Sequence, residues 1–257
     1  MTTTEKFEQF LGHHQPGNPI ILYNCWDAGS AQKVAEAGGV AVATGSKPLA
    51  MAQGYSDGEN IPFKALLHTV GQIAQAVDVP VSIDFESGYA GSDHQLLAEH
   101  TTQLLSAGIV GVNFEDQRIE EGGVYDLEIQ VQRISTIREA AVQNEAPLFI
   151  NARTDLFLQE KDRSRHADLV AEAISRGQAY QQAGADGFFI PGLLDLNLIS
   201  EVCAQVNLPV NVIKFPDAPS NQELATQGVA RISYGPFAYV QLMNTFIANA
   251  TEAINNQ

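Results

Sequence analysis

Cysteine is scarce in this 257-residue chain: Cys25 and Cys203 are the only two, they lie far apart, and a reduced setting is the expectation. Long apolar runs are missing too. Ser, Asp, Gln or Gly interrupts every hydrophobic stretch before the roughly 18 residues needed to span a bilayer, and Met1 to Phe10 is polar, without the apolar segment of a secretory leader. A soluble, cytoplasmic protein is expected. Basic residues are few: 14 Lys and Arg against 30 Asp and Glu leave a net charge of −16, a field that repels nucleic acid and anionic membrane. Neither is expected as a partner. At 17%, charged residues fall below the roughly 25% usual in soluble domains, which suggests surface withdrawn into contacts between subunits.

What is present is a repeat of short β-rich runs and longer helical stretches, with hydrophobic content of 45% sufficient for one core spanning 1–257 as a single domain. Two kinds of entry alternate. Pro19, Pro80, Pro147 and Pro209 precede the odd-numbered runs; Gly38-Gly39, Gly108, Gly184 and Gly228 open into Val40–Thr44, Ile109–Glu115, Asp186–Ile190 and Val229–Tyr234. Glycine supplies the left-handed stop of a helix, and proline is tolerated at the first residue of a strand. Eight near-continuous apolar strands, each followed by a helix-length segment, require parallel pairing with both faces covered, and an α/β (β/α)8 TIM barrel is the economical closure. An open doubly wound sheet is the other solution, but no Gly-x-Gly-x-x-Gly follows the first strand. The predicted helices are 29–37, 62–76, 93–107, 126–144, 164–183, 196–206, 221–227 and 236–249. Two irregular stretches, Lys47–Ile61 and Gln117–Tyr125, read as mouth loops.

In a parallel barrel the working groups project from the carboxyl ends of the strands. Those ends carry Trp26 and Asp27; Thr44, Gly45 and Ser46; Asp84 and Glu86; Glu115 and Asp116; Asn151, Arg153 and Asp155; Pro191; Asn211 and Lys214; Ser233 and Tyr234. Asp84 and Glu86 share a face, and Glu115 ends the next strand. Three carboxylates together need a counter-charge, and oxygen-only ligation selects a hard divalent ion; the other reading has these acids capping helices or pairing with arginines. Arg153 presents a fork suited to a carboxylate or phosphate, or else pairs with Asp155 or Asp116. Thr44-Gly45-Ser46 offers amides and a hydroxyl to an anion, as many strand-to-loop turns do. Lys214 reads as a loop lysine rather than a Schiff base, His94 as structural though near a barrel mouth, and Cys25 as a core residue.

Five segments, Trp26-Asp27-Ala28-Gly29-Ser30-Ala31, Thr44-Gly45-Ser46, Asp84-Phe85-Glu86-Ser87-Gly88-Tyr89, Asn113-Phe114-Glu115-Asp116-Gln117 and Asn151-Ala152-Arg153-Thr154-Asp155, together resemble the phosphoenolpyruvate mutase/isocitrate lyase superfamily from about Ile20 to Phe237. The resemblance implies a barrel whose last helix is exchanged between subunits of a homodimer or homotetramer. It implies magnesium, with manganese as its substitute, and a small-molecule carboxylic acid as substrate. Asp84 then corresponds to the direct metal ligand; Glu86, Glu115 and Asp57 hold the ion through water; Trp26, Gly45 and Ser46 line the site, with Trp26 and Ser46 beside Arg153 in the catalytic set. Arg153 steers the substrate carboxylate, with Asn211 a further substrate contact from its strand end.

Two departures stand out. The family's lyases carry a Lys-Lys-Cys-Gly-His-type loop whose cysteine serves as acid or base, whereas here the loop reads Arg118-Ile119-Glu120-Glu121-Gly122-Gly123-Val124-Tyr125. Glu86 also replaces the family's usual aspartate. The implied reaction is a magnesium-dependent lyase or decarboxylase step on a small 2-oxo or 2-hydroxy di- or tricarboxylic acid through a pyruvate-like enolate. The alternatives are phosphorus–carbon chemistry of the mutase or phosphonopyruvate hydrolase type, and a barrel that binds a small acid without turning it over.

Overall fold

Eight short strands, all parallel, form one sheet in the computed structural model, which describes residues 1–256. They are β1 (Ile20–Leu22), β2 (Val42–Ala43), β3 (Val81–Asp84), β4 (Gly111–Glu115), β5 (Phe149–Arg153), β6 (Gly187–Phe189), β7 (Val210–Ile213) and β8 (Arg231–Ser233). The order is β1-β8-β7-β6-β5-β4-β3-β2. The remaining seam, between β1 and β2, is drawn together just past the strands, where Cys25 pairs with Thr44 and its N–H donates to the Ala43 carbonyl at 2.8 Å. The chain is therefore the expected (β/α)8 barrel.

The helices, in chain order, are α1 (Thr3–Gly12), α2 (Ala28–Glu36), α3 (Ser46–Ala52), α4 (Phe63–Ala76), α5 (His94–Ser106), α6 (Leu127–Gln143), α7 (Leu156–Gln159), α8 (His166–Gln182), α9 (Leu196–Gln205), α10 (Asn221–Thr226) and α11 (Phe237–Asn255). Their starts follow from capping. Asp27 accepts from the Ser30 amide at 2.7 Å, Asp93 from that of Leu96 at 3.0 Å, and Ser220 and Glu223 form a reciprocal capping box. Gly184 shows why a glycine stops α8: its φ is +101°, and an added Cβ would lie 2.9 Å from the Arg138 Cγ.

Three helices were not foreseen in the sequence reading, and a fourth runs longer than expected. The first residues, expected to be a polar lead, form α1, started by a Thr2–Glu5 capping box. Its Phe10 enters the amino end of the barrel among Ile20, Leu22, Val110 and Phe149; full burial of such a ring contributes about 2–3 kcal/mol. Lys47–Ile61 is not wholly irregular, because Ser46–Ala52 is α3, with Pro48 in the first turn where a missing N–H costs nothing. Helix α7 lies directly after β5. In addition, α11 runs to Asn255, past the expected end at Asn249.

Helix α11 meets the barrel in its first turns, where Phe237 packs at a tilt against Phe215 at 5.4 Å and Tyr239 lies edge-on to Trp26 at 5.1 Å. Beyond that, Leu242, Phe246, Ile247 and Ile254 are exposed. No described helix is long and apolar enough to cross a membrane.

Candidate active site

A cavity of about 310 Å³ opens at the carboxyl end of the barrel, and its walls include Ser46, Asp57, Asp84, Glu86, Glu115 and Arg153. Parallel pairing brings them there. Glu115 is in register with Arg153, Asp84 with Asn113, and the Glu115 amide donates to the Glu86 carbonyl at 2.9 Å, so the acids of β3 and β4 end side by side. The end of β2 holds Asp84 from the other side. The Asp84 amide donates to Thr44 Oγ1 at 2.9 Å, and the Ser46 amide donates to Asp84 Oδ2 at 3.1 Å. The Ser46 N–H expected to face a ligand anion thus serves the Asp84 carboxylate. Gly45 lines the cavity as expected, with room for an added Cβ only 3.0 Å from Pro48 Cγ.

Arg153 lines the cavity and is also paired, with Asp155 as one reading of its position had it and with Glu115 besides. It faces the cavity, yet Nη1 lies 2.7 Å from Glu115 Oε2, Nε donates to Asp155 Oδ1 at 2.5 Å and Nη2 to Asp155 Oδ2 at 3.0 Å. Burial opposes its charge, but Asp155 and Glu115 outweigh burial and hold the guanidinium firmly protonated. Burial likewise pushes the Glu115 carboxyl upward, with Arg153 pulling it back. Behind this pair, Asp116 is fully enclosed. It accepts the Asp155 amide at 2.9 Å, the Tyr180 hydroxyl at 2.8 Å and Arg176 Nη1 at 3.2 Å, so it anchors the turn after β5. Burial raises its carboxyl to about 6.

Glu86 is buried, and both of its carboxylate oxygens already have donors: the Tyr89 hydroxyl at 2.5 Å and the Glu59 amide at 2.8 Å. Burial lifts it to about 7, against the pull of the Tyr89 bond. Asp57 stands on the 53–61 loop at the rim, its carboxyl raised by desolvation and then by the Asp84 charge, and lowered by the Ser46 hydroxyl.

A hard divalent ion suits this donor set, which is oxygen-only and crowded with like charges that raise one another's pKa. Direct joint ligation does not occur in the side-chain arrangement described: among the described residues no three His, Cys, Asp or Glu groups stand close enough to share an ion. Two of these acids are engaged by the protein itself: Glu115 faces Arg153, and Glu86 faces the Tyr89 hydroxyl and the Glu59 amide.

Two expected site residues lie elsewhere. Trp26 does not line this cavity. The chain leaves the sheet at Cys25 to enter the helix capped by Asp27, and the indole faces an outer groove of about 1130 Å³ beside Tyr239. Asn211 lies below the floor, because its strand position points into the barrel interior; its amide accepts from Asn151 at 2.9 Å and donates to the Arg231 carbonyl at 3.0 Å. His94 bonds Thr136 at 2.7 Å on the helical layer and is structural. Lys214 donates to the Ala218 and Pro219 carbonyls in its loop. Cys25 is fully buried, and burial pushes its thiol to about 12.

Some lining residues carried no signal in the sequence. Asn24 reaches the cavity because its side chain donates to the Thr44 carbonyl at 2.8 Å and accepts the Gly235 amide at 2.7 Å, joining three strand ends. Lys47 and Phe189 also line it, as does Asn113, which opens the Asn113–Gln117 segment but was given no site role there and is level with Asp84.

Comparison with known proteins gives a consistent picture. The family model described as phosphoenolpyruvate phosphomutase matches residues 10–254. The crystal structure of a "putative phosphonomutase" from Burkholderia cenocepacia J2315 superposes with a TM-score of 0.94 at 40% identity, covering 98% of this chain and 99% of that one. An uncharacterized protein of Mycobacterium tuberculosis is 32% identical over 88% of this chain and 81% of its own length. An oxaloacetate decarboxylase of Pseudomonas savastanoi pv. phaseolicola is 29% identical over 66% of this chain and 56% of its own. The same fold, at 17% identity and a TM-score of 0.83 over 100% of this chain and 88% of the other, occurs in a phosphonopyruvate hydrolase solved with oxalate and Mg²⁺.

Proposed function

Since the chain belongs to the phosphoenolpyruvate phosphomutase family, whose members include lyases and mutases, we propose that this enzyme breaks a carbon–carbon bond in a small 2-oxo dicarboxylate, releasing a pyruvate-type enolate, with decarboxylation as the reaction. One observation carries the reading. The cavity joins an acid cluster to Arg153 and Ser46, yet neither cysteine nor histidine lines it. Cleavage of a 2-hydroxy acid needs a base to take the hydroxyl proton, and the raised carboxylates of the lining are engaged, Glu115 by Arg153 and Glu86 by Tyr89 and the Glu59 amide. Decarboxylation of a 2-oxo acid with a 3-carboxylate needs none: the bond to the departing carboxylate breaks, its electron pair moves toward the 2-oxo oxygen, CO₂ leaves, and the methylene carbon then takes a proton from water.

Asp84, Glu115 and Asp57 are the residues that would hold magnesium, which would supply a Lewis acid for the enolate charge. The protein's own residues do the positioning. The Ser46 amide and Thr44 hydroxyl fix Asp84, the Ser46 hydroxyl faces Asp57, and Arg153, braced by Asp155, offers its cavity-facing edge to the C1 carboxylate. The cavity volume of about 310 Å³ is at the small end for ligand sites, in keeping with a four- or five-carbon acid.

The test is pyruvate formation from oxaloacetate above the metal-catalysed background, with and without chelator, beside phosphate release from phosphonopyruvate and cleavage of 2-methylisocitrate. Chelator-sensitive turnover of oxaloacetate alone supports the proposal. Phosphate release in its place would move the assignment to phosphorus–carbon chemistry.

A further inference from the structure

Among the described residues, four other than glycine have left-handed backbone, and three of them, Glu59 (φ 56°), Glu86 (φ 48°) and Tyr89 (φ 56°), are hydrogen-bonded to one another. Side-chain-bearing residues avoid this region unless the surroundings enforce it. Here the enforcement is mutual. The Glu59 amide donates to Glu86 Oε2 at 2.8 Å, the Tyr89 hydroxyl donates to Glu86 Oε1 at 2.5 Å, and the Tyr89 amide donates to Glu59 Oε1 at 2.8 Å. A closed ring of three bonds thus ties the 53–61 loop to the turn that follows β3.

The ring sits at a mechanical junction. Asp57 is two residues from Glu59 on a loop that is exposed over 53–57 and buried only at Ile61, with Gly54 and Gly58 in left-handed backbone on either side of Asp57. The other side of the ring is rigid: Tyr89 packs 5.7 Å from Phe63 and 6.4 Å from Phe85, and Phe85 is fully buried. The reach matters. The two oxygens of Glu86 meet the Glu59 amide and the Tyr89 hydroxyl, and an aspartate there would be one methylene shorter.

We propose that Glu59, Glu86 and Tyr89 form a latch that fastens the 53–61 loop across the rim and so holds Asp57 at the site, with Glu86 a positioning residue and not a holder of the metal. This rests on the reading of the cavity as a cation site. Two substitutions, Glu86→Asp and Tyr89→Phe, each open one bond of the ring while keeping the charge and the ring stacking. Hydrogen exchange by mass spectrometry and calorimetric titration with MgCl₂ read the result.

For both variants, exchange should rise at least tenfold in the 53–61 peptide and stay at the wild-type rate in β4 and β5. Magnesium affinity should fall several-fold in both, although the Tyr89 hydroxyl is on no path to the ion. The latch is overturned if loop exchange stays at the wild-type rate in Tyr89→Phe, or if Glu86→Asp keeps the wild-type rate and alters magnesium affinity alone, the behaviour of a residue that holds the ion's water. Should wild-type protein bind no magnesium, the cation reading fails, and loop exchange still decides the latch. Tyr89→Phe, the milder change, carries the test if Glu86→Asp does not fold.

Discussion

The Arg153 guanidinium and the Glu115 carboxylate, in register at the ends of β5 and β4, lie 2.7 Å apart with almost no access to solvent. A cation ready for a substrate carboxylate is therefore not a free one. It is oriented from behind by Asp155 and from the side by Glu115, which leaves one edge of the fork for a ligand.

Arg153→Lys keeps the charge and loses the fork, since an ammonium cannot meet Glu115, Asp155 and a substrate carboxylate in one plane. With hydrogen bonds between charged groups contributing about 1.5–3 kcal/mol each, kcat/KM should fall roughly 10- to 100-fold, measured on the substrate found in the assay above, with circular dichroism unchanged. Arg153→Met should instead lower stability by about 3–5 kcal/mol, read by urea unfolding, because it strands buried acids without a partner. Wild-type kcat/KM in the lysine variant would reduce Arg153 to a structural partner of Asp155.

Asp84 lines the cavity with its carboxylate accepting the Ser46 amide at the end of β2. Its replacement by alanine should weaken magnesium binding at least tenfold in calorimetry. Affinity equal to wild type would remove Asp84 from the metal site.

His14 gives a pH prediction away from the site. It is buried against Phe149 at 4.2 Å, its Nδ1 is bonded to the Phe10 carbonyl at 2.7 Å, and burial, then the Arg231 charge, drive its pKa from 6.5 to about 3. The unfolded chain thus takes up a proton near pH 6.5 that the folded chain refuses until about pH 3. Its contribution to stability is complete above pH 6.5 and is lost as pH falls from there, reaching on the order of 5 kcal/mol at pH 3. In His14→Phe the acid side of the urea-stability profile should be shallower over that window. An unchanged slope would mean that this imidazole is not buried neutral.

The apolar face of α11 is proposed to be covered by a second copy of this chain. Leu242, Phe246, Ile247 and Ile254 are exposed on one subunit, while a groove of about 1130 Å³ lies along β1 and α2, lined by Ile20, Ile21, Tyr23 and Val34. Burying residues of this kind contributes about 1.5–3 kcal/mol each. Light scattering should give a dimer or tetramer mass, and Phe246→Asp with Ile247→Asp should lower it. A monomer at micromolar concentration would end the proposal.

The sequence by itself determined the barrel and the list of candidate groups. Proline and glycine mark each corner through backbone chemistry that no tertiary contact needs to supply, and the strands read as near-continuous apolar runs, so eight parallel strands between helices follow. Asp84, Glu115 and Arg153 were legible for the same reason, since strand ends in such a barrel share one mouth. Tertiary structure decided what those groups face. Register and side-chain reach, which no spacing encodes, paired Arg153 with Glu115, turned the Ser46 amide to Asp84, sent Trp26 to an outer groove and Asn211 beneath the floor, and closed Glu59, Glu86 and Tyr89 into a ring from segments 27 residues apart in the chain. Local propensity fixes elements within a few residues, whereas a hydrogen bond between distant segments exists only once the barrel has brought their backbones within about 3 Å of one another's side chains.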